Sequence, residues 1–92
     1  MIQLDLHPRA AKFIKSLPPK HQGQIKEYLL ALMVNPKPHD AKSLIGYTPY
    51  LRGDCGEYRV IYRYDPKQAL VTVILIGRRN DGDVYQTLKR IL

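Results

Sequence analysis

The sequence has few of the residues that small folds use to staple themselves or to hold reagents. There is one cysteine, Cys55, so no internal disulfide can form, and a reducing compartment, the cytoplasm, is expected. The three histidines, His7, His21 and His39, are scattered. No two have metal-ligand spacing, and no metal or other cofactor is expected. No Walker loop, G-x-S-x-G elbow or H-E-x-x-H helix occurs. Cys55 has no histidine beside it and reads as incidental rather than nucleophilic. No apolar run approaches the length of a membrane span. The opening MIQLDLHPRAAKF meets charge too early for a signal peptide, so none is expected. Repeats and low-complexity tracts are missing too. These gaps set aside disulfide scaffolds, zinc modules, nucleotide-binding loops and the common hydrolase machineries.

What is present is apolar periodicity and positive charge. Ninety-two residues, 45% of them hydrophobic, suit one domain, residues 1–92, with a real but small core. Fifteen Lys and Arg against eight Asp and Glu give a formal net charge of +7. So basic a short chain points to an anionic partner. Nucleic acid comes first, an acidic protein second and an anionic membrane surface a weak third.

Ile2, Leu4 and Leu6 alternate with Gln3 and Asp5, the period of a short first strand. Pro8 suits the first turn of a helix, which Ala10, Phe13, Ile14 and Leu17 continue until Pro18-Pro19 ends it. From Lys20 a second helix is expected, with Ile25, Tyr28, Leu29, Leu32 and Met33 as its stripe and Asn35-Pro36 as its stop. Residues 37–49 read as an irregular connection anchored on the core by Leu44 and Ile45. Three strands follow, at 50–54, 57–65 and 69–78. Cys55-Gly56 is the expected turn between the first two, and residues 65–68 between the next. The last, ALVTVILIG, is almost continuously apolar, as a central strand is. Asp83 reads as the cap of a final helix, with Gln86 completing a capping box and Val84, Leu88 and Ile91 as its packing face. That role explains Asp83 better than a metal loop shared with Asp81. The expected fold class is α+β: a small antiparallel β-sheet with an N-terminal strand, a two-helix hairpin packed on one face, a β-meander and a short C-terminal helix. The helices are expected to cover one face of the sheet and leave the other open or half-open.

In EYRVIYRYD, residues 57–65, Tyr58, Val60, Tyr62 and Tyr64 fall on one strand face and Arg59, Ile61 and Arg63 on the other. The first face is core. Guanidinium groups beside an isoleucine are costly unless something anionic meets them. Arg52 lies on the neighbouring strand, across the hairpin from Arg59 and the residues beside it, and Arg78 and Arg79 end the last strand. Three segments are therefore expected to gather guanidinium groups on one surface, each able to match phosphate with a planar fork of donors. For any one arginine a solvated stem lying along the sheet is the plainer account; the cluster on a basic chain favours phosphate. Tyr85, in the first turn of the last helix, is either a packed tyrosine with its hydroxyl on the rim or a proton donor or acceptor held among arginines. One reaction suits an inventory without nucleophile or metal. In RNA transesterification the substrate's own 2′-hydroxyl attacks the adjacent phosphate. The protein then needs only to orient the backbone, offset charge on the phosphorane and move protons.

The stretches LRGDCGEYRVIYRYD and VTVILIGRRNDGDVYQTLKRIL closely resemble the RelE side of the RelE/ParE toxin superfamily, and LHPRAAKFIKSLP resembles that family's first helix. The resemblance covers essentially the whole chain and is most specific in Y-R-V-I-Y-R, I-G-R-R and D-V-Y. It implies a toxin that cuts mRNA in the ribosomal A site without metal, and a cognate antitoxin that neutralises it in a heteromeric complex. By position it implies that Arg59 stabilises the transition-state phosphate. It implies that Arg79 contacts phosphate or acts as acid, and that Tyr85 transfers a proton or stacks on a base. Arg52 stands where RelE-like chains carry a lysine implied to help activate the 2′-hydroxyl; Tyr50 replaces a second lysine common two residues earlier. An arginine keeps its proton, so Arg52 is a poor general base and the identity of the base stays open. Arg63 is expected as a secondary backbone contact or an antitoxin contact, and Arg78 and Lys89 as further RNA contacts. Two alternatives share the scaffold: a ParE-like protein that binds DNA gyrase without catalysis, and a nucleic-acid-binding module without activity. Arg59, Arg79 and Tyr85 together favour the nuclease.

Overall fold

Prolines and alternation divide the chain as its pattern predicts. In this computed structural model, which describes residues 1–79 and 83–92, the order is β1 (Gln3–Leu6), α1 (Pro8–Lys15), α2 (Pro19–Val34), β2 (Lys42–Ser43), β3 (Leu51–Cys55), β4 (Tyr58–Asp65), β5 (Leu70–Arg78) and α3 (Asp83–Ile91). Pro8 and Pro19 open their helices, where a missing N–H costs nothing. His7 caps α1, its Nδ1 accepting from the backbone N–H of Arg9 at 3.2 Å. The Asp81 loop and the side chain of Asp83, with the cap expected of it, lie outside the described residues.

The fold is α+β, and its five-stranded sheet runs β1-β5-β4-β3-β2. The sheet is mixed rather than purely antiparallel. β1 pairs parallel with β5, Leu4 opposite Val71 and Leu6 opposite Val73, while β3, β4 and β5 form the meander. β2 is a short edge strand in the stretch read as irregular, Lys42 opposite Arg52. Of the two residues expected to anchor that stretch, Leu44 is 5% exposed but Ile45 is 96% exposed. Only Leu44 reaches the core, because Gly46 at φ 83° turns the chain immediately after Ile45.

The helices do not all cover one face. α1 and α2 pack Ala10, Ile14, Ile25, Leu29 and Leu32 against Tyr58, Val60, Tyr62, Val71 and Val73. α3 packs Val84 and Leu88 on the opposite face, against Ile61, Ile74 and Leu75. The apolar run of β5 explains this, since its side chains are buried on both faces and each face needs cover. A register shift near Ile61/Tyr62 leaves Ile74 without a partner on β4 and puts Ile74 and Leu75 together in the second cluster. A helix of nine residues is not stable alone. Burying Val84 and Leu88, each worth about 1.5–3 kcal/mol, is what holds α3 in place.

Two glycines set the layer spacing. At Gly77 of β5 a Cβ would run into the Val84 side chain, so glycine lets α3 sit down on the strand. At Gly53 of β3 a Cβ would overlap the Tyr28 hydroxyl and lie 2.9 Å from its Cζ. That hydroxyl is buried with no hydrogen-bond partner among the described residues. Tyr62, by contrast, donates from its hydroxyl to the Pro36 carbonyl at 2.9 Å, and burial and then Asp40 push its pKa up to about 12. Gly53→Ala should cost about 1–3 kcal/mol by overpacking. Tyr28→Phe should be neutral or stabilising, since it removes an unpaired buried group, and should rescue part of the Gly53→Ala loss. Urea unfolding of the two single variants and the double variant checks this; strictly additive losses would contradict the contact.

Candidate functional site

The site grows from the β3–β4 hairpin. The turn falls at Gly56-Glu57, one residue later than Cys55-Gly56, with Gly56 at φ 58°. That shift sets the pairing: Arg52 lies opposite Ile61, and Asp54 opposite Arg59. These four residues share the sheet face that carries α3 rather than the helical hairpin. Across it the first turn of α3 brings Tyr85.

The Tyr85 hydroxyl oxygen accepts from two guanidinium groups at once, Arg52 Nη1 at 3.0 Å and Arg59 Nη1 at 2.9 Å. The Arg59 Cζ also stands 5.8 Å from the Tyr85 ring centroid. Arg59 turns its other edge to Asp54, with Nε 3.0 Å from Oδ1. Arg79, just past β5, reaches the same carboxylate at 3.6 Å from Nε to Oδ2. It is fixed from behind: its backbone N–H donates to the Glu57 carbonyl at 2.9 Å and its Nη1 to the Gly56 carbonyl at 3.2 Å. Burial pulls the Arg59 pKa down, but the Asp54 hydrogen bond and the nearby Tyr85 and Asp54 outweigh it and leave it above its ordinary value. Arg59 is a permanent cation, not a proton carrier.

The structure thus gathers Arg52, Arg59, Arg79 and Tyr85. The other expected contacts lie apart. Arg78 is opposite Tyr58 and stacks on its ring at 5.7 Å, on the face of the helical hairpin. Arg78 meets the Tyr58 ring while Arg79 turns to Asp54 on the other face, so the two do not serve one surface. Arg63 is exposed on the Arg59 face, beyond Ile61. Lys89 is exposed one helical turn past Tyr85. Cys55 is buried, donates its thiol to the Gln24 carbonyl at 3.5 Å, and is pushed up by burial, as befits an inert thiol.

Sequence reasoning missed Asp54 and the bond between His21 Nδ1 and the Tyr58 hydroxyl at 2.5 Å. The signal for Asp54 was available, because a glycine opening a two-residue turn at positions 56 and 57 puts Asp54 directly opposite Arg59, an opposite-charge pair across strands. Among the described residues no three His, Cys, Asp or Glu side chains gather as a metal site, and no helix is long and apolar enough to cross a membrane.

Residues 4–82 match the model of a family described as the ParE toxin of the type II toxin–antitoxin system parDE. The chain belongs to this family, within the RelE/ParE toxin superfamily. No curated protein sequence matches it significantly. Among solved structures it is similar to the isolated E. coli RelE toxin, at 27% identity and a TM-score of 0.75 over 100% of both chains. A mutant of E. coli RelE in the free state aligns at 28% identity and a TM-score of 0.78, over 99% of this chain and 98% of that one. The archaeal RelE–RelB complex from Pyrococcus horikoshii OT3 aligns at 26% identity and 0.75, over 85% of this chain and 94% of that one.

Asp54 offsets part of the positive charge of Arg59 and Arg79 at a half-exposed position, where such pairs contribute about 0–1 kcal/mol to stability. Asp54→Asn should therefore leave thermal unfolding nearly unchanged while raising affinity for polyanions. Elution from heparin at higher salt than the parent checks this; equal or earlier elution would contradict it.

Proposed function

We propose that this protein is the toxin of a toxin–antitoxin pair and that it cleaves mRNA on the ribosome by 2′-hydroxyl transesterification. The observation that carries the reading is the Tyr85 hydroxyl held between Arg52 and Arg59, with Arg79 beside them. Each guanidinium donates to the phenolic oxygen, so the Tyr85 O–H is not needed for either bond and its proton is left for another acceptor. A scissile phosphate set against this group meets three arginines. They offset the charge that grows on its oxygens as the 2′-oxygen bonds to phosphorus and the bond to the 5′-oxygen breaks. Tyr85 gives its proton to the leaving 5′-oxygen. Arginines keep their protons, so Arg52 acts as charge rather than base. Among the described residues Asp54 is the carboxylate that joins the group, bonded to Arg59 and Arg79, and it is the candidate acceptor for the 2′-hydroxyl proton. The protein acts in the cytoplasm and uses no metal.

Two features support the rest of the reading. RelE proteins from Pyrococcus horikoshii and E. coli, similar to this chain, have been solved in complex with RelB antitoxins. A chain of formal charge +7 suits an acidic antitoxin, and equally the ribosome and its mRNA. The parDE family model favours a second reading, gyrase binding without catalysis. Its match ends at residue 82, before the helix that carries Tyr85.

Mapping mRNA 5′ ends after induction, beside an assay for DNA double-strand breaks, separates the two. New 5′ ends within codons on translated messages support the nuclease. Breaks in DNA with intact messages overturn it. Arg59→Ala should lower single-turnover cleavage by roughly 100- to 1,000-fold, the usual loss of one oxyanion donor, with unfolding little changed. Tyr85→Phe should slow cleavage while leaving ribosome affinity near the parental value; a Phe variant cutting at the parental rate removes Tyr85 from proton transfer.

A further inference from the structure

Beside Tyr85 the sheet edge opens into a groove of about 330 Å³ whose remaining lining, from Lys42 to Tyr47, the reaction described above does not use. Arg52 and Tyr85 form its inner wall. Lys42 and Ile45 are on its outer side, with Leu44 and Tyr47 between. Lys42 lies directly opposite Arg52 in the β2–β3 pairing, so two cations stand side by side at the strand edge.

The outer wall is built, not slack. Leu44 N–H donates to the Tyr50 carbonyl at 3.0 Å, Tyr47 N–H to the Leu44 carbonyl at 3.1 Å, and Tyr50 N–H to the Tyr47 carbonyl at 2.8 Å. Leu44 is buried below, and Tyr47 and Tyr50 pack half-buried on the second core cluster. Of the apolar side chains that line the groove, Ile45 turns wholly to solvent. A pinned turn that exposes a large apolar side chain beside an aromatic ring, with a cationic pair at its edge, is chemically matched to a nucleotide. The flat base takes the apolar wall and the phosphate takes the cations. The volume lies at the lower end of the roughly 300–1,000 Å³ range of small-molecule sites, room for one nucleotide rather than a peptide helix.

We infer that this groove is a nucleotide subsite, holding the RNA nucleotide next to the scissile phosphate with its base against Ile45 and Tyr47 and its phosphate on Lys42 and Arg52. The subsite rests on the nuclease reading, because it shares Arg52 and Tyr85 with the cluster that faces the scissile phosphate. It assigns a function to Lys42, Ile45 and Tyr47, none of which takes part in the chemistry.

The test uses the full chain and a single-stranded RNA hexamer carrying a 2′-deoxy sugar at the cleaved nucleotide, so that it binds without being cut. In the parent, the hexamer should shift the amide resonances of Lys42, Ile45 and Tyr47 together with those of Arg59 and Tyr85. Lys42→Glu and Ile45→Glu alter exposed side chains and should stay folded, and each should weaken binding by roughly 5- to 20-fold, the scale of one lost base stack or phosphate contact. An abasic site beside the scissile position should weaken the parent similarly and leave Ile45→Glu almost unaffected, because both changes remove one contact. Shifts confined to Arg59 and Tyr85, or losses from Ile45→Glu and the abasic site that simply multiply, overturn the subsite and leave the nuclease standing. A parent that cleaves mRNA on the ribosome but does not bind the hexamer overturns the subsite alone, and one that neither binds nor cleaves removes both.

Discussion

A strand buried on both faces must be covered on both, and this protein is arranged around that requirement. β5 has the helical hairpin on one side and α3 on the other, with β1 and β4 pairing along its edges. Covering the second face is what brings α3 over the meander, and α3 carries Tyr85. The hydroxyl that meets Arg52 and Arg59 is therefore placed by packing demand. Val84 sinks against Gly77 and Leu88 follows it into the core, and the residue between them in the first turn is presented to the arginines. A single short helix supplies both the cover of the second core cluster, through Val84 and Leu88, and the tyrosine that meets the arginines.

Electrostatics then acts on a frame already rigid. Among the described residues, three guanidinium groups and one carboxylate share a few ångströms of the sheet surface. Asp54 bridges Arg59 and Arg79 while Tyr85 bridges Arg59 and Arg52. Each arginine is thereby held with part of its donor set committed and part free. Such pre-ordering suits a group whose task is to receive an anion, since donors that are already aimed need no reorganisation when charge appears. The same scaffold serves proteins of different action, so the case for cleavage rests on these side chains and not on the likeness in fold.

Much of this was legible in the sequence. The helices and the meander follow from proline placement and from periods of 3.6 and 2, which depend on local backbone geometry alone. That Arg52, Arg59, Arg79 and Tyr85 come together was legible as well, because they sit in short, dense motifs. What was not legible depended on register and on which face a distant element chooses. Placing the turn at Cys55-Gly56 hid the pairing of Asp54 with Arg59, since one residue of slip reassigns every cross-strand neighbour. Arg78 looked like a companion of Arg79 because they are adjacent in sequence, but where the strand ends one turns to Tyr58 and the other to Asp54 on the opposite face. The apolar run of β5 was read as a sign of central position, yet it also meant that a helix had to lie on the far side. The parallel pairing of β1 with β5 joins segments more than sixty residues apart and leaves no local trace.

Gly53 stands between Arg52 and Asp54 on β3, and its missing side chain is filled from the other layer by Tyr28 of α2. The back of the strand is thus gauged against a tyrosine ring while its front presents two charged members of the site. Any thickening at residue 53 must be taken up either by tilting α2 or by pushing β3 forward, and the second response moves Arg52 and Asp54 relative to Tyr85. A survey of single substitutions would then score residue 53 among the functional positions, although it touches nothing that a substrate would touch.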